Sequence, residues 1–393
     1  MQNTKYTLNI PLFKTHWEES DIEAVKRVIT RGTFWADGPE IREFERRIAD
    51  FVGRKYAVSF NSGTSALQIA LLSHGIKGCE VIVPSFTFIA TSNPVVLAGG
   101  TPVFAESEEE TFGLDADDVA KKITSKTKAI ILIHYAGCAS RDTLKLRELA
   151  DKHGILLIED AAESLGASID GRKVGTFGDS AMFSFCQNKV ITMGEGGIIV
   201  TNDTPLYEKM KLLRSHGRFE KTDGDYFSST GDNDYIMLGY NLRLPTMSAA
   251  LGISQLNNIN QVITMRQEHA EFLHQHLSTI PPLKIPKAPE GFNHIYQMYT
   301  ILLDNKTIRD TLQKCLQENG IMSKVYFNPV HMKTYYIQHF GCKQGDLPFT
   351  EALSERVLTL PFYPDLTKQE LKHIIFNIKQ FFEQNTTEKY NNI

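Results

Sequence analysis

Residues 56–74 read YAVSFNSGTSALQIALLSH. A short apolar run, 56–60, is followed by small residues and then by an apolar-periodic segment, 64–74. The first has the length and content of a buried strand, and the second has helical spacing. The same succession recurs downstream. Residues 80–83 read as a strand and 90–97 as a helix, 129–134 as a strand and 143–152 as a helix, and 155–158 as another strand. Such alternation predicts an α/β fold, a mainly parallel central sheet covered by helices on both faces. Upstream, 18–30 carries Ile22, Val25, Val28 and Ile29 at helical spacing, and 40–52 carries Ile41, Phe44, Ile48 and Phe51. A glycine-marked break from Gly32 to Pro39 separates these two helices.

The pattern changes near residue 205. Residues 217–235, GRFEKTDGDYFSSTGDNDY, are polar, rich in glycine and spotted with aromatics. They read as a long loop, a feature that is often functional inside a compact protein. One long helix is expected over 246–278, linking two domains, and the remainder to about 380 mixes strands such as 298–303 with helices such as 307–318 and 367–383. The division expected is a large α/β domain over 1–250 and a smaller C-terminal α+β domain over 251–393. The polar tail QNTTEKYNNI is expected to fray.

Composition excludes several classes. A net charge of −4, from 42 basic and 46 acidic side chains, gives no basic surplus for a nucleic-acid partner. No apolar run reaches the roughly 18 residues of a membrane span. The opening MQNTKYTLNIPLF lacks the basic and apolar regions of a signal peptide. Five widely spaced cysteines without a CxxC argue against a disulfide framework or zinc knuckle and point to the cytoplasm.

Three stretches carry candidate chemistry. In Asn61-Ser62-Gly63-Thr64-Ser65 the strand-to-helix turn aims backbone N–H groups and the positive helix end at one place. That suits a phosphate, although a plain capped turn has the same residues. In 156–166, LLIEDAAESLG, an apolar strand runs into Asp160 and Glu163. At the C-terminal end of a parallel strand an acid is placed to hold a cationic ring nitrogen; the same pair also resembles a helix capping box. In 180–200 an apolar strand delivers Ser184 and then Lys189, and the turn Gly194-Glu195-Gly196-Gly197 leads into a second apolar strand. Most lysines are solvated, but one held between two apolar strands can lose its proton and attack a carbonyl. Together Gly63, Thr64, Ser65 and Ser184 for a phosphate, Asp160 for a pyridinium and Lys189 for a covalent tether are the groups that pyridoxal 5'-phosphate (PLP) requires. Phe86 and Phe88 in Pro84–Thr91 are candidates for stacking on its ring, with the protein core as the alternative for either. A nicotinamide enzyme is disfavoured, because no GxGxxG follows a strand.

The order NSGTSAL, PSFTFIAT, EDAAESLGA, FSFCQNK, GEGG and GYNLR resembles the DegT/StrS family of sugar aminotransferases, which are fold-type I PLP-dependent transferases. The likeness extends from about Ile10 to Leu366 and includes IPLF, GPEIREFE, NPVH and LPFYPDLT. By that resemblance Lys189 is the lysine that carries the cofactor. A dehydratase branch has histidine there, so lysine implies transamination. Asp160 matches the residue at the pyridine nitrogen and Phe88 the stacked aromatic, while Thr64, Ser65 and Ser184 match phosphate contacts. Glu163 falls near the cofactor's 3'-oxygen, where many members have Gln or His, and EDAAES is most like perosamine-type 4-aminotransferases. Asn241 matches a phosphate contact given by a neighbouring subunit, which implies a homodimer with shared active sites. Tyr240, Arg243 and His331 are expected at the substrate. No metal is implied.

The activity so implied moves an amino group from L-glutamate to a keto sugar. The expected acceptor is a nucleotide-diphosphate-linked 4-keto-6-deoxy sugar, and the product a perosamine-like 4-amino-4,6-dideoxy sugar. A 3-keto sugar, an aminocyclitol precursor or a keto-octulosonate are alternative acceptors. A PLP-fold regulatory protein without catalysis is a further alternative, which the intact pair of Lys189 and Asp160 argues against.

Overall fold

Seven strands form one sheet: β1 (Tyr56–Phe60), β2 (Glu80–Pro84), β3 (Thr101–Ala105), β4 (Thr127–Ile133), β5 (Leu156–Asp160), β6 (Ser180–Ser184) and β7 (Gly197–Thr201). These positions come from a computed structural model of the chain, which describes residues 8–219, 234–281 and 283–391 and the side chains only to residue 384. Runs such as Ala129–Ile133 and Ile198–Thr201 are buried throughout, as expected where helices cover both faces of a parallel sheet. The strand order is β1-β7-β6-β5-β4-β2-β3. From β6 to β3 all neighbours are parallel, while β7 runs antiparallel to both β1 and β6. The sheet is thus mainly parallel with one reversed strand, which the sequence pattern alone did not reveal.

Successive side chains feed two cores. Phe183, Ile198 and Val200 pack with Ile41, Phe44 and Ile48 of the helix Pro39–Val52 on one face. Met182, Ile199 and Ile158 pack with Leu67, Ile69 and Ala70 of the helix Gly63–His74 on the other. Beyond the large sheet, a three-stranded antiparallel sheet joins β8 (Leu283–Lys284), β9 (Tyr299–Leu303) and β10 (Val357–Leu360) in the order β8-β9-β10. Its core takes in Leu312 and Leu316 of the helix Lys306–Glu318, several residues of the helix Lys368–Asn391, and Ile10 from the start of the chain.

Several boundaries move. The stretch expected as one helix is two, Thr246–Asn257 and Ile259–Leu277, because Asn258 breaks the repeat and its side chain donates to Glu18 at 3.0 Å. The helix expected over 90–97 is a short turn, Ile89–Thr91, followed by Asn93–Leu97. The first helix, Glu19–Arg31, buries Asp21, Ala24 and Val28, whereas Ile22 and Ile29 are each 46% exposed. The backbone of the last helix continues through the tail expected to fray, as far as Asn391. Most of the loop expected over 217–235 lies outside the described residues; its ends pair as Arg218–Phe219 with Asp234–Tyr235.

Candidate active site

A cavity of about 510 Å³ opens where β1, β2, β5 and β6 all end. C-terminal strand ends are where an open parallel sheet leaves a crevice for ligands. Because β7 is reversed, its N-terminal turn lies at the same rim and brings Glu195 to the cavity wall.

One wall is the turn after β1. Ser62 caps the helix Gly63–His74, its hydroxyl accepting from the Ser65 N–H at 3.1 Å. The Ser65 hydroxyl pairs with that of Ser62 at 2.9 Å, so Ser65 serves the cap and does not line the cavity, whereas Ser62, Gly63, Thr64 and Ser184 do. This helix start offers unspent N–H groups and a positive dipole end to an anion. Close approach here requires glycine. A Cβ on Gly197 would sit 2.4 Å from the Gly63 N and the Ser62 carbonyl carbon.

The floor carries the charges. Asp160, 4% exposed, accepts from the Thr91 hydroxyl at 2.7 Å and from the Ala162 N–H at 3.2 Å. Burial raises its carboxyl above the ordinary range, against the pull of those two donors. No helix follows Asp160: residues 161–167 are turns, so the capping-box reading fails and the carboxylate is left to the cavity. Lys189 sits in the connection between β6 and β7, where Gln297 donates to the Asn188 carbonyl. Its Nζ lies 3.4 Å from Glu163 Oε1, and Glu163 is itself oriented by the Ala136 N–H at 2.9 Å. Phe88 forms part of the cavity wall and is 60% exposed. Phe86 is wholly buried among Phe112, Tyr135 and Phe327, so the two phenylalanines divide between cavity and core.

Three residues expected at the substrate, His331, Tyr240 and Arg243, lie outside this cavity, as does Asn241, expected to reach the neighbouring subunit's site. His331 is 1% exposed and braces the backbone behind the site, its ring nitrogens 2.7 Å from Ser85 Oγ and 3.1 Å from Glu351 Oε1. Tyr240 and Asn241 are exposed, and Arg243 donates to Ser215 Oγ at 3.1 Å; none of the three lines this cavity. In their place the far wall is built from Phe13, Lys324, Tyr326 and Phe327. Sequence reasoning assigned none of these four to the site, although Phe13 closes the quoted IPLF run; Lys324, Tyr326 and Phe327 lie in no quoted motif. It also missed Thr91, although Thr91 closes the quoted run 84–91.

The sequence model of the DegT/DnrJ/EryC1/StrS aminotransferase family matches residues 16–379. The chain belongs to this aminotransferase family. A GDP-perosamine synthase of Vibrio cholerae is 35% identical over 376 residues, covering 95% of this chain and 99% of that protein. Another GDP-perosamine synthase, from Caulobacter vibrioides, is 38% identical over 347 residues, covering 87% and 90%. Among solved structures, Helicobacter pylori PseC, an aminotransferase involved in the biosynthesis of pseudoaminic acid, superposes with a TM-score of 0.89 at 29% identity, covering 96% of this chain and 100% of that one. The fold is that of the type I aminotransferases, and the protein is a PLP-dependent sugar aminotransferase that takes an amino-group donor and a keto-sugar acceptor. The cavity fits PLP on its own chemistry. It holds a helix start free of side chain at Gly63 for the phosphate, a nearly buried carboxylate with two donors for the ring nitrogen, and a primary amine. No described helix is long and apolar enough to cross a membrane.

Proposed function

We propose that this aminotransferase moves the amino group of L-glutamate to a nucleotide-diphosphate-linked 4-keto-6-deoxy sugar, giving 2-oxoglutarate and a perosamine-like 4-amino-4,6-dideoxy sugar. The observation that carries this reading is the contact of Glu163 with Lys189 within an EDAAES run, in a chain whose relatives over most of its length include GDP-perosamine synthases. Bound PLP supplies a carbonyl and an electron sink for carrying nitrogen between two carbon skeletons. In this proposal Gly63, Thr64 and Ser184 hold its phosphate, Phe88 covers its ring, and Asp160 keeps the ring nitrogen protonated by charge pairing. Lys189 tethers it. Once released, the Lys189 Nζ takes a proton from the donor's α carbon, and in the second half-reaction gives one to the sugar carbon that receives nitrogen. Glu163, 3.4 Å away, holds that amine toward the cavity.

The assembly belongs to the same proposal. A homodimer with shared sites would cover Phe88, 60% exposed, and Tyr240, 42% exposed, and would give Asn241 a phosphate to bind across the interface. Five unpaired cysteines support a cytoplasmic location. The division into 1–250 and 251–393 is kept, with Ile10 returning to the smaller unit's core.

The test is to mix protein, PLP and L-glutamate with GDP-, UDP- and dTDP-linked 4-keto-6-deoxy sugars and measure 2-oxoglutarate. One acceptor of the panel should release it in step with amino-sugar formation. No release from any of them would end the proposed substrate class.

A further inference from the structure

Two buried threonines stand beside Asp160 at the cavity wall. Thr87 and Thr91 are 2% and 1% exposed, their hydroxyl oxygens are 2.7 Å apart, and Thr91 Oγ1 is 2.7 Å from Asp160 Oδ2. An ionised carboxylate only accepts, so the single Thr91 proton is committed to Asp160. The Thr91 oxygen must then accept from Thr87. The chain of hydroxyls has one direction, Thr87 to Thr91 to Asp160.

We infer that Thr91 is a positioning residue for the cofactor-binding acid, with Thr87 fixing the Thr91 rotor, an inference that rests on the assignment of Asp160 to the ring nitrogen. With Oδ2 held by Thr91 and Oδ1 by the Ala162 N–H, both carboxylate oxygens are pinned and the plane of the group is set. The Thr91 hydroxyl also stabilises the ionised form of an acid that burial drives toward its neutral form. A neutral Asp160 could not pair with a cationic ring nitrogen. The remaining charged groups that act on Asp160 are Glu163, which opposes ionisation, and Lys189, which favours it. The strand neighbours Ile133 and Met182 and the turn Ile89–Thr91 present no titratable side chain. The same turn that carries Phe88 into the cavity wall therefore also holds the acid, three residues apart in sequence.

The experiment measures the PLP dissociation constant of full-length Thr91→Val, Thr91→Ser, Thr87→Val, Asp160→Asn and the double variant Thr91→Val/Asp160→Asn, from about pH 6 to about pH 9. The melting point of each apoprotein is recorded alongside. A hydrogen bond to a charged group predicts roughly tenfold weaker binding for Thr91→Val. The loss should be greatest at the acid end, where the unassisted carboxyl takes up its proton. Thr91→Ser should restore near-wild-type binding, and Thr87→Val should show a smaller loss of the same sign. In the Asp160→Asn background Thr91→Val should add nothing, since the residue it acts through is gone. Wild-type binding by Thr91→Val beside weakened Asp160→Asn would overturn the positioning role alone. A loss equal at every pH and undiminished in the double variant would overturn it too, by showing general packing damage. Unimpaired Asp160→Asn would remove the assignment of the acid itself, and the inference with it.

Discussion

Glu159 and Asp160 are consecutive acids at the end of one strand, and they meet opposite fates. Strand alternation sends their side chains to opposite faces of the sheet. Glu159, wholly buried, accepts from the N–H groups of Gly175, Phe177 and Gly178 and pairs with His134 Nε2 at 3.0 Å. Burial alone would raise its carboxyl, but His134 and those donors hold it below the ordinary range. Asp160 has two donors, and its carboxyl is raised. Donor count separates the two acids: three backbone N–H groups and a histidine tie Glu159 into the fold, whereas two donors hold Asp160 at the cavity. Glu159 is satisfied by the protein, while Asp160 lies at the cavity, where the proposed cofactor would complete it.

The comparison can be broken in order of expected effect. Lys189→Ala should lower turnover by about 10⁴-fold or more while leaving the fold intact. Borohydride should fix the cofactor to the wild-type chain and not to this variant; fixation to the variant would move the tether elsewhere. Asp160→Asn should lower kcat/KM by roughly a hundredfold or more, yet melt no earlier as apoprotein, because it removes a carboxylate that burial disfavours. Glu159→Gln should do the reverse and lose about 2–4 kcal/mol of stability in denaturant melts, because buried donors are left poorly matched. An Asp160→Asn apoprotein less stable than Glu159→Gln would abolish the distinction.

The smallest effect is in the pH dependence. Glu159 has a lowered carboxyl, so its stabilisation is present above the ordinary 4.5 and disappears as pH falls through the folded value. The Glu159→Gln deficit should narrow accordingly in acid. Asp160 is raised from 3.8, so its ionisation opposes folding above the raised value, and that opposition disappears as pH falls. Any gain of Asp160→Asn should therefore also narrow in acid. Denaturant midpoints taken between about pH 3 and about pH 7 check both signs.

Much of this was legible in the chain. Residues whose chemistry is tied to a local pattern, Ser62 to Thr64 of the first turn, the strand end at Asp160 and the lysine between two apolar strands, stand together around one cavity as the alternation implied. What stayed hidden depends on long-range packing. Nothing around 197–201 marks the strand as antiparallel, because buried strands of either direction read as apolar runs. The NPVH segment looks like a site motif, and its Val330 N–H meets the Ser85 carbonyl at 2.9 Å while His331 holds the Ser85 hydroxyl, both behind the cavity. Ile22 and Ile29 fitted a buried stripe by spacing, yet within one subunit the stripe facing Thr246–Asn257 is Asp21, Ala24 and Val28. Spacing gives a face and leaves its partner undetermined.

The far wall of Lys324, Tyr326 and Phe327 has a consequence for biosynthesis. Lys324 is held by backbone pairing with Thr359 at 2.8 and 3.0 Å, so this wall rests on β10, the last strand among the described residues. During translation the segment with the Gly63 turn, Asp160 and Lys189 emerges first, whereas residues 324–327 and the strand that pairs with them are made near the end. The cavity therefore acquires its last lining residues only when the chain is nearly complete, and a ligand bound there stabilises the finished protein by mass action.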